Sequence, residues 1–134
     1  MYIPDHFLIE ELVPKKVHNE RGGKAWELLD DRLLITLDQL RDEYGSITIN
    51  DWLWGGINEW RGLRTPDSSW YRPYSQHTFG RAADCIFNDI NVDKVRDDIL
   101  KYPDRFPCIN SIELDVSWLH FDVRNCDRIK TYMP

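Results

Sequence analysis

The amino-acid sequence predicts a small α+β domain. A chain of 134 residues, of which 42% are hydrophobic and 13% aromatic, is long enough to bury one compact core. Two regions repeat apolar residues at helical spacing, and three others have the alternating or β-branched character of strands. Helix, strands, helix and a final hairpin follow one another in this order, and such a succession is typical of an α+β fold.

Both predicted helices can be delimited by their capping residues. The first helical pattern runs from Ala25 to Tyr44, with Asp30 or Asp31 placed to cap the start and Gly45 to end it. The second helix follows Asn91, whose side chain suits a helix N-terminus. Their apolar faces consist of Leu33, Leu34, Leu37, Leu40 and Tyr44 in the first helix and Val92, Val95, Ile99 and Leu100 in the second.

The strand patterns define the parts of a sheet. Residues 46–52 alternate and include β-branched side chains, and residues 83–87 form an apolar run typical of a buried strand. Residues 111–123 alternate in both halves, which predicts an antiparallel hairpin turning near residues 116–117. Residues 57–64 could form a further strand or a loop.

Domain organisation and charge limit the classes of function. We expect residues 1–23 to form an arm of short extended or helical pieces and residues 24–134 to form the domain itself. The net charge of −6 argues against a nucleic-acid binder, which usually needs a basic face. No apolar run approaches membrane-spanning length, and the N-terminus lacks the basic and apolar regions of a signal peptide. We expect a monomer, cytoplasmic as synthesised, without nucleic-acid or membrane partners.

Two histidines and an aspartate stand out as candidate metal ligands: His77, Asp84 and His120. Imidazole nitrogen and carboxylate oxygen both suit Zn²⁺, and three protein ligands leave one position of a tetrahedral ion open for water. That pattern is catalytic rather than structural, so these residues indicate a zinc hydrolase with one ion. Gly80 permits a backbone conformation or a close approach that a Cβ would resist. The three cysteines have no metal-type spacing, and we expect Cys85 in the core.

The ligand motifs resemble those of a known enzyme family. The pattern S-x-H-x-x-G-x-A-x-D over residues 75–84, followed by W-x-H-x-D over residues 118–122, is similar to that of the zinc D-alanyl-D-alanine carboxypeptidases and peptidoglycan endopeptidases. The segment G-L-R-T-P at residues 62–66 resembles the Gly-Tyr-Arg-Ser segment that precedes the histidine motif in many members. The resemblance covers residues 46–126. It implies the fold that this family shares with the Hedgehog signalling domain, a central and largely antiparallel sheet with packed helices.

The resemblance also implies an activity. His77, Asp84 and His120 would bind zinc, and the protein would hydrolyse a peptide bond in peptidoglycan stem peptides, as a DD-carboxypeptidase or an endopeptidase. The small size suits a phage-type lytic enzyme that reaches the cell wall by other means than a signal peptide. The alternative is a catalytically inactive metal-binding module of the same fold, which uses its groove for binding or assembly.

A carboxylate near the ligands is needed as the general base. If the hairpin loop is residues 116–117, Glu113 faces His120 across the ladder, and residues directly opposite point to the same face. Glu113 would take a proton from the attacking water and pass one to the departing amine. Asp115 is the alternative if the turn is longer. Many relatives carry an acid where this chain has Ser117, and that difference favours the inactive alternative.

Three residues are expected to contact the substrate. Arg64 matches a family position whose guanidinium pairs with a substrate carboxylate in some members, and the planar fork of arginine suits that task. Arg61 is a near competitor, and Ser75 opens the histidine motif. The aromatic residues in the loop 65–74 could form a substrate wall or pack beneath the loop.

Asp122 lies two residues beyond the last histidine, so the alternation of a strand places both side chains on one face. Its carboxylate could orient the imidazole of a metal ligand. It could equally form a salt bridge with Arg81 or Arg124. Both interpretations are open at the level of sequence.

Overall fold

Three α-helices and a five-stranded sheet make up the fold in this computed structural model, which describes residues 1–134. The helices are α1 (Lys15–Arg21), α2 (Asp31–Tyr44) and α3 (Val92–Lys101). The strands are β1 (Ile47–Thr48), β2 (Ala82–Phe87), β3 (Ser111–Glu113), β4 (Leu119–Asp122) and β5 (Lys130–Tyr132). The predicted α+β class is therefore confirmed. None of these helices combines the length and the apolar character needed to cross a membrane.

The sheet has the strand order β1-β2-β4-β3-β5, with β4 at its centre. All neighbouring strands are antiparallel except β3 and β5, which are parallel. The prediction of a mostly antiparallel sheet is thus correct. In the β2–β4 ladder Asp84 lies directly opposite His120. Since directly opposite residues share a face of the sheet, this register alone brings two of the candidate ligands together.

Local capping sets the limits of the longer helices. The Asp30 side chain accepts a hydrogen bond from the Arg32 main-chain N–H, and Gly45, with φ of 83°, follows the last residue of α2. Asn91 caps α3 in the same way as Asp30 caps α2. The α-helix predicted from Ala25 begins later than expected, because Gly22–Leu28 form a 3₁₀ segment ahead of it.

The first strand is shorter than its sequence pattern predicts. Of residues 46–52, only the two residues of β1 pair in the sheet. Asn50 leaves the strand direction to bond the N-terminal segment, where its main-chain N–H donates to the Glu11 carbonyl and its side chain donates to the Val13 carbonyl. Residues 57–64 form a loop rather than a further strand.

The predicted hairpin register is confirmed, whereas its turn is longer than two residues. Ser111 pairs with Asp122 in the β3–β4 ladder, and continuing this register by two residues places Glu113 opposite His120. Residues 114–118 connect the two strands as an irregular loop. The loop length changes which carboxylates can reach the site.

One cluster of 25 buried residues forms the core and includes the leucines of α2. The first 23 residues, expected as an arm, contribute Phe7, Leu12 and Val13 to this cluster. The Leu12 carbonyl also accepts a hydrogen bond of 2.9 Å from the Leu63 N–H, which ties the N-terminal segment to the loop before the histidine motif. Cys85 is fully buried in the core, as its sequence context predicts.

Candidate metal centre

The three candidate ligands converge on one point. His77, Asp84 and His120 each offer one ligand atom, and these atoms all lie within 4.8 Å of one another. Asp84 Oδ1 is 3.4 Å from His77 Nε2 and 2.9 Å from His120 Nδ1. In a tetrahedral zinc site with bonds of about 2.0–2.1 Å, neighbouring ligand atoms are about 3.3 Å apart. The two distances from Asp84 are close to that value, and all three ligand atoms lie within 4.8 Å of one another, so this triad could hold a divalent metal ion.

A tight loop joins His77 to the start of β2. Gly80 has φ of 67°, a left-handed conformation that favours glycine, and a Cβ at this position would lie 2.0 Å from the Leu28 carbonyl oxygen. The Gly80 carbonyl accepts a hydrogen bond of 2.9 Å from the Asp30 N–H at the start of α2. Gly80 therefore has both features expected of a glycine here: a left-handed conformation and a close approach to another part of the main chain. The histidine loop is held directly against the helical layer.

The environment of His77 selects the tautomer that a metal ligand requires. Its Nδ1 lies 2.8 Å from the carbonyl oxygen of Gly62, and its side chain is 3% exposed. A carbonyl oxygen can only accept, so Nδ1 carries the proton and donates it. Nε2, on the opposite side of the ring, then faces Asp84, and the hydrogen bond at Nδ1 fixes the ring orientation, as in many metal-ligating histidines.

His120 is held between two carboxylates. Its Nδ1 faces Asp84, and its Nε2 lies 3.2 Å from Asp122 Oδ2. Burial alone would lower the pKa of His120, but hydrogen bonds to Asp122 and Asp84 outweigh it and raise the pKa to about 9. Without a metal the imidazole is therefore a buried cation. Metal binding at Nδ1 would release one proton, because a ligating imidazole is neutral.

Asp122 both contacts the imidazole of His120 and forms a salt bridge with Arg124, the two roles expected from its position in the sequence. Its side chain is fully buried, and one of its oxygens contacts the ring nitrogen of His120 that faces away from the triad. The Arg124 guanidinium donates two hydrogen bonds to the same carboxylate, of 2.7 and 2.6 Å. Burial would raise the pKa of Asp122, but the hydrogen bonds from Arg124 and His120 keep it below its ordinary value. Asp122 is thus an ionised carboxylate that orients a candidate ligand.

Arg64 contacts the candidate metal ligand Asp84. Its Nη2 donates to Asp84 Oδ2 at 3.0 Å, and its Nε donates to the Trp60 carbonyl at 2.7 Å. Burial would raise the pKa of Asp84, but hydrogen bonds with His120 and His77 hold it below the usual range. One oxygen of Asp84 therefore faces the two imidazoles, while Arg64 holds the other. Arg64, which was expected to bind the substrate, thus positions the candidate metal ligand Asp84.

Glu113 joins the triad in one cavity of about 290 Å³. Asp115, the alternative base, does not line this cavity. It lies in the loop between β3 and β4, is exposed, and has φ of 56°. The structure therefore brings Glu113 to the ligands and leaves Asp115 outside. The lining residues are Arg64, Trp70, Ser75, His77, Asp84, Glu113, Trp118, His120 and Tyr132.

The remaining residues expected to contact the substrate do not all line the cavity of the triad. Ser75 lines the cavity of the triad, and its Oγ accepts a hydrogen bond of 3.2 Å from the His77 N–H. Arg61 lines only a neighbouring cavity and donates to the Ile49 carbonyl at 3.2 Å. Trp70 lines the cavity wall while remaining 67% exposed, so this aromatic residue is not packed beneath the loop.

Tyr132 is a site residue that the sequence patterns miss. It lies on β5 opposite Glu113, and its ring packs edge-on against His120 with 5.8 Å between ring centroids. Burial and the nearby carboxylates raise the pKa of Tyr132, so the phenol keeps its proton and can donate a hydrogen bond. The parallel pairing of β3 with β5 is a long-range contact. A short C-terminal strand without clear alternation carries no local signal for it.

Comparisons of the chain with family models, with curated proteins and with solved structures found no match. The candidate metal centre is therefore inferred from its own geometry and from the motifs that carry His77, Asp84 and His120. The resemblance to the zinc peptidases stays a hypothesis drawn from those motifs.

Proposed function

We propose that this protein is a zinc-dependent peptidase that hydrolyses a peptide bond in peptidoglycan stem peptides. The observation that carries the proposal is the presence of Glu113 and the His77, Asp84 and His120 triad around one cavity. The donor set fits a divalent metal, with an imidazole nitrogen from each of two oriented histidines and an ionised carboxylate oxygen. A mixed nitrogen and oxygen set favours zinc over magnesium or calcium, which prefer oxygen alone. Peptidoglycan as the substrate comes from the motif resemblance.

When bound, zinc would supply a Lewis acid that polarises the peptide carbonyl and lowers the pKa of a water molecule. Glu113 would accept the proton of the attacking water and deliver one to the departing amine. Its place opposite His120, on the same face of the sheet, supports this role. Tyr132 would donate a hydrogen bond to the carbonyl oxygen as negative charge develops on it.

Two other interpretations of the same residues compete with this proposal. The first is a binding module that holds a metal but has no turnover; Ser117, where many relatives carry an acid, lies exposed in the loop and lines no part of the triad cavity. The second is a purely structural network, in which His120 bridges Asp84 and Asp122 as a cation and no metal binds.

One set of variants separates these possibilities. Wild type, Glu113→Gln and Asp115→Asn are compared for zinc content and for turnover of purified muropeptides. We expect one zinc per chain in all three. We expect Glu113→Gln to lose about 10²–10⁴-fold in turnover, the usual contribution of a general base, and Asp115→Asn to keep wild-type turnover. Full turnover in Glu113→Gln would refute its role, no turnover in zinc-filled wild type would favour the binding module, and no zinc binding would favour the structural network.

A further inference from the structure

The cavity of the triad is the middle section of a longer groove. It shares Arg64, Trp70 and Trp118 with a cavity of about 380 Å³ on one side. It shares three other residues, Ser75, His120 and Tyr132, with a third cavity of about 260 Å³. The two outer cavities have no lining residue in common. The candidate metal ligands therefore lie between two separate arms of one groove.

The two arms differ in chemical character. The larger one, here called the aromatic arm, is lined by Ile57, Asn58, Glu59, Trp60, Arg61, Arg64, Trp70 and Trp118. The smaller one, the polar arm, is lined by Tyr74, Ser75, Gln76, His120, Asp122, Arg124 and Tyr132. Apolar side chains stand exposed at the aromatic arm, with Ile57 91% and Trp70 67% exposed. Exposed apolar groups at the edge of a groove are typical of a binding surface.

Each arm is also lined by a residue with a buried polar atom that has no partner in the chain. These atoms are the indole Nε1 of Trp118, which lines the aromatic arm, and the side-chain Oε1 of Gln76, which lines the polar arm. Such groups are rare in folded proteins and call for a partner. One is a donor and the other an acceptor, and the main chain of a peptide offers the complement of both.

The cations beside the triad already have carboxylate or carbonyl partners. Arg64 is the only arginine or lysine that lines the triad cavity, and it donates to Asp84 and to the Trp60 carbonyl. Arg124, in the polar arm, makes two hydrogen bonds to Asp122. An enzyme that releases a C-terminal residue needs a free cation next to the cleaved bond, because the terminal carboxylate is buried there. Each of the two is already ion-paired with a carboxylate, and the third arginine of the groove, Arg61, lines only the aromatic arm, so no uncompensated cation lines the triad cavity or the polar arm.

We propose that this groove holds peptide on both sides of the metal centre and that the protein cleaves an internal peptide bond. The inference deepens the proposed peptidase function and depends on it. One flank of the substrate lies against Trp70 and Trp118, and the other lies along Gln76 and Tyr132. The substrate class is therefore an extended peptide, with at least one residue on each side of the cleaved bond and no requirement for a free C-terminus.

Two forms of one stem peptide test this inference. The first ends in a free C-terminal carboxylate, and the second carries an amide at the same position. Both are incubated with the zinc-loaded protein and with a chelated sample, and the products are identified by mass spectrometry. We expect both forms to be cut at the same internal bond, at rates that differ by less than about threefold. A hydrogen bond between the enzyme and the terminal carboxylate would change the rate by more than that. Release of only the terminal residue, from the free form alone, would overturn the inference and leave the peptidase function standing. Absence of chelator-sensitive cleavage in both forms would overturn the peptidase function as well.

A tryptophan pair tests the aromatic arm itself. We expect Trp70→Ala to raise KM for the internal cut about tenfold or more, with zinc content unchanged, because an apolar contact surface is lost. Trp54 is also an exposed tryptophan, at 60%, but lines none of the three cavities, so Trp54→Ala should keep the wild-type KM. Equal KM values for Trp70→Ala and wild type would show that substrate does not occupy this arm.

Discussion

Replacing Asp122 with asparagine tests whether the carboxylate behind His120 prepares that imidazole for a metal. Asp122 Oδ2 lies 3.2 Å from His120 Nε2, so it holds the proton on the nitrogen that faces away from the triad. An amide oxygen in the same place keeps this tautomer but carries no charge. An amide nitrogen there would need Nε2 as an acceptor, which moves the proton to Nδ1 and blocks the atom that faces Asp84.

Both orientations of the amide weaken the candidate site. Loss of a partner that orients a ligating histidine typically costs about 10–100-fold in metal affinity, or roughly 1.4–2.7 kcal/mol. The fold loses stability as well, because Arg124 donates two hydrogen bonds to this fully buried carboxylate. Hydrogen bonds to charged groups contribute about 1.5–3 kcal/mol each, and the partial exposure of Arg124 favours the lower end. We therefore expect Asp122→Asn to remain folded but with weakened zinc affinity.

Isothermal titration with Zn²⁺ and urea unfolding of the same samples measure the two effects separately. Asp98→Asn is the matched control, since Asp98 is also a buried carboxylate, bonded to Tyr44 at 2.9 Å and to Lys94 at 2.7 Å on the α3 side of the fold. We expect this control to lose stability and to bind zinc as wild type does. Wild-type zinc affinity in Asp122→Asn, or an equal loss of affinity in both variants, would refute the orienting role.

Other substitutions probe the histidine loop, a helix cap and the triad cavity. Gly80→Ala should destabilise the fold by at least about 1–2 kcal/mol in urea unfolding, because φ is 67° and a Cβ would lie 2.0 Å from a carbonyl oxygen. Gly23→Ala, where a Cβ meets nothing within 4 Å, should stay within about 0.5 kcal/mol of wild type. The hydrogen bond from Arg32 lowers the pKa of Asp30, so its charge stabilises the fold above the ordinary pKa of about 3.9 and less as pH falls. The stability gap between wild type and Asp30→Asn should therefore be larger at pH 6 than at pH 3, and a constant gap would contradict this. Tyr132→Phe should lower kcat about a hundredfold with KM and zinc affinity unchanged, whereas an unchanged kcat would exclude a role for its hydroxyl.

The sequence predicts the parts of the site that lie on regular structure. Alternation along β3 and β4 determines which residues share a face, so the pairing of Glu113 with His120 follows once the strands are taken as a hairpin. Asp84 lies in an apolar run that becomes β2, but its place opposite His120 depends on the pairing of β2 with β4, which no local pattern specifies. Helix caps are equally local, which is why the limits of α2 and α3 can be predicted from Asp30 and Asn91.

The parts of the site that the sequence does not predict depend on long-range contacts or on irregular loops. The partner of Arg64 depends on where the loop 57–64 crosses β2, and no local pattern encodes that crossing. Tyr132 reaches the triad through a parallel pairing between β3 and a C-terminal strand of three residues. The choice between Glu113 and Asp115 depends on a loop length that alternation leaves open. In each case the deciding contact joins segments far apart in the chain or lies in irregular backbone.

Digestion of purified muropeptides by the zinc-loaded protein, analysed by mass spectrometry beside a chelated sample, tests the peptidase function most directly. The triad of His77, Asp84 and His120 and the nearby Glu113 predict new peptide fragments that disappear on chelation and return when zinc is added back. The fragment masses identify the bond that is cut. Unchanged muropeptides, with protein shown to be folded and to hold one zinc ion, would contradict the peptidase function.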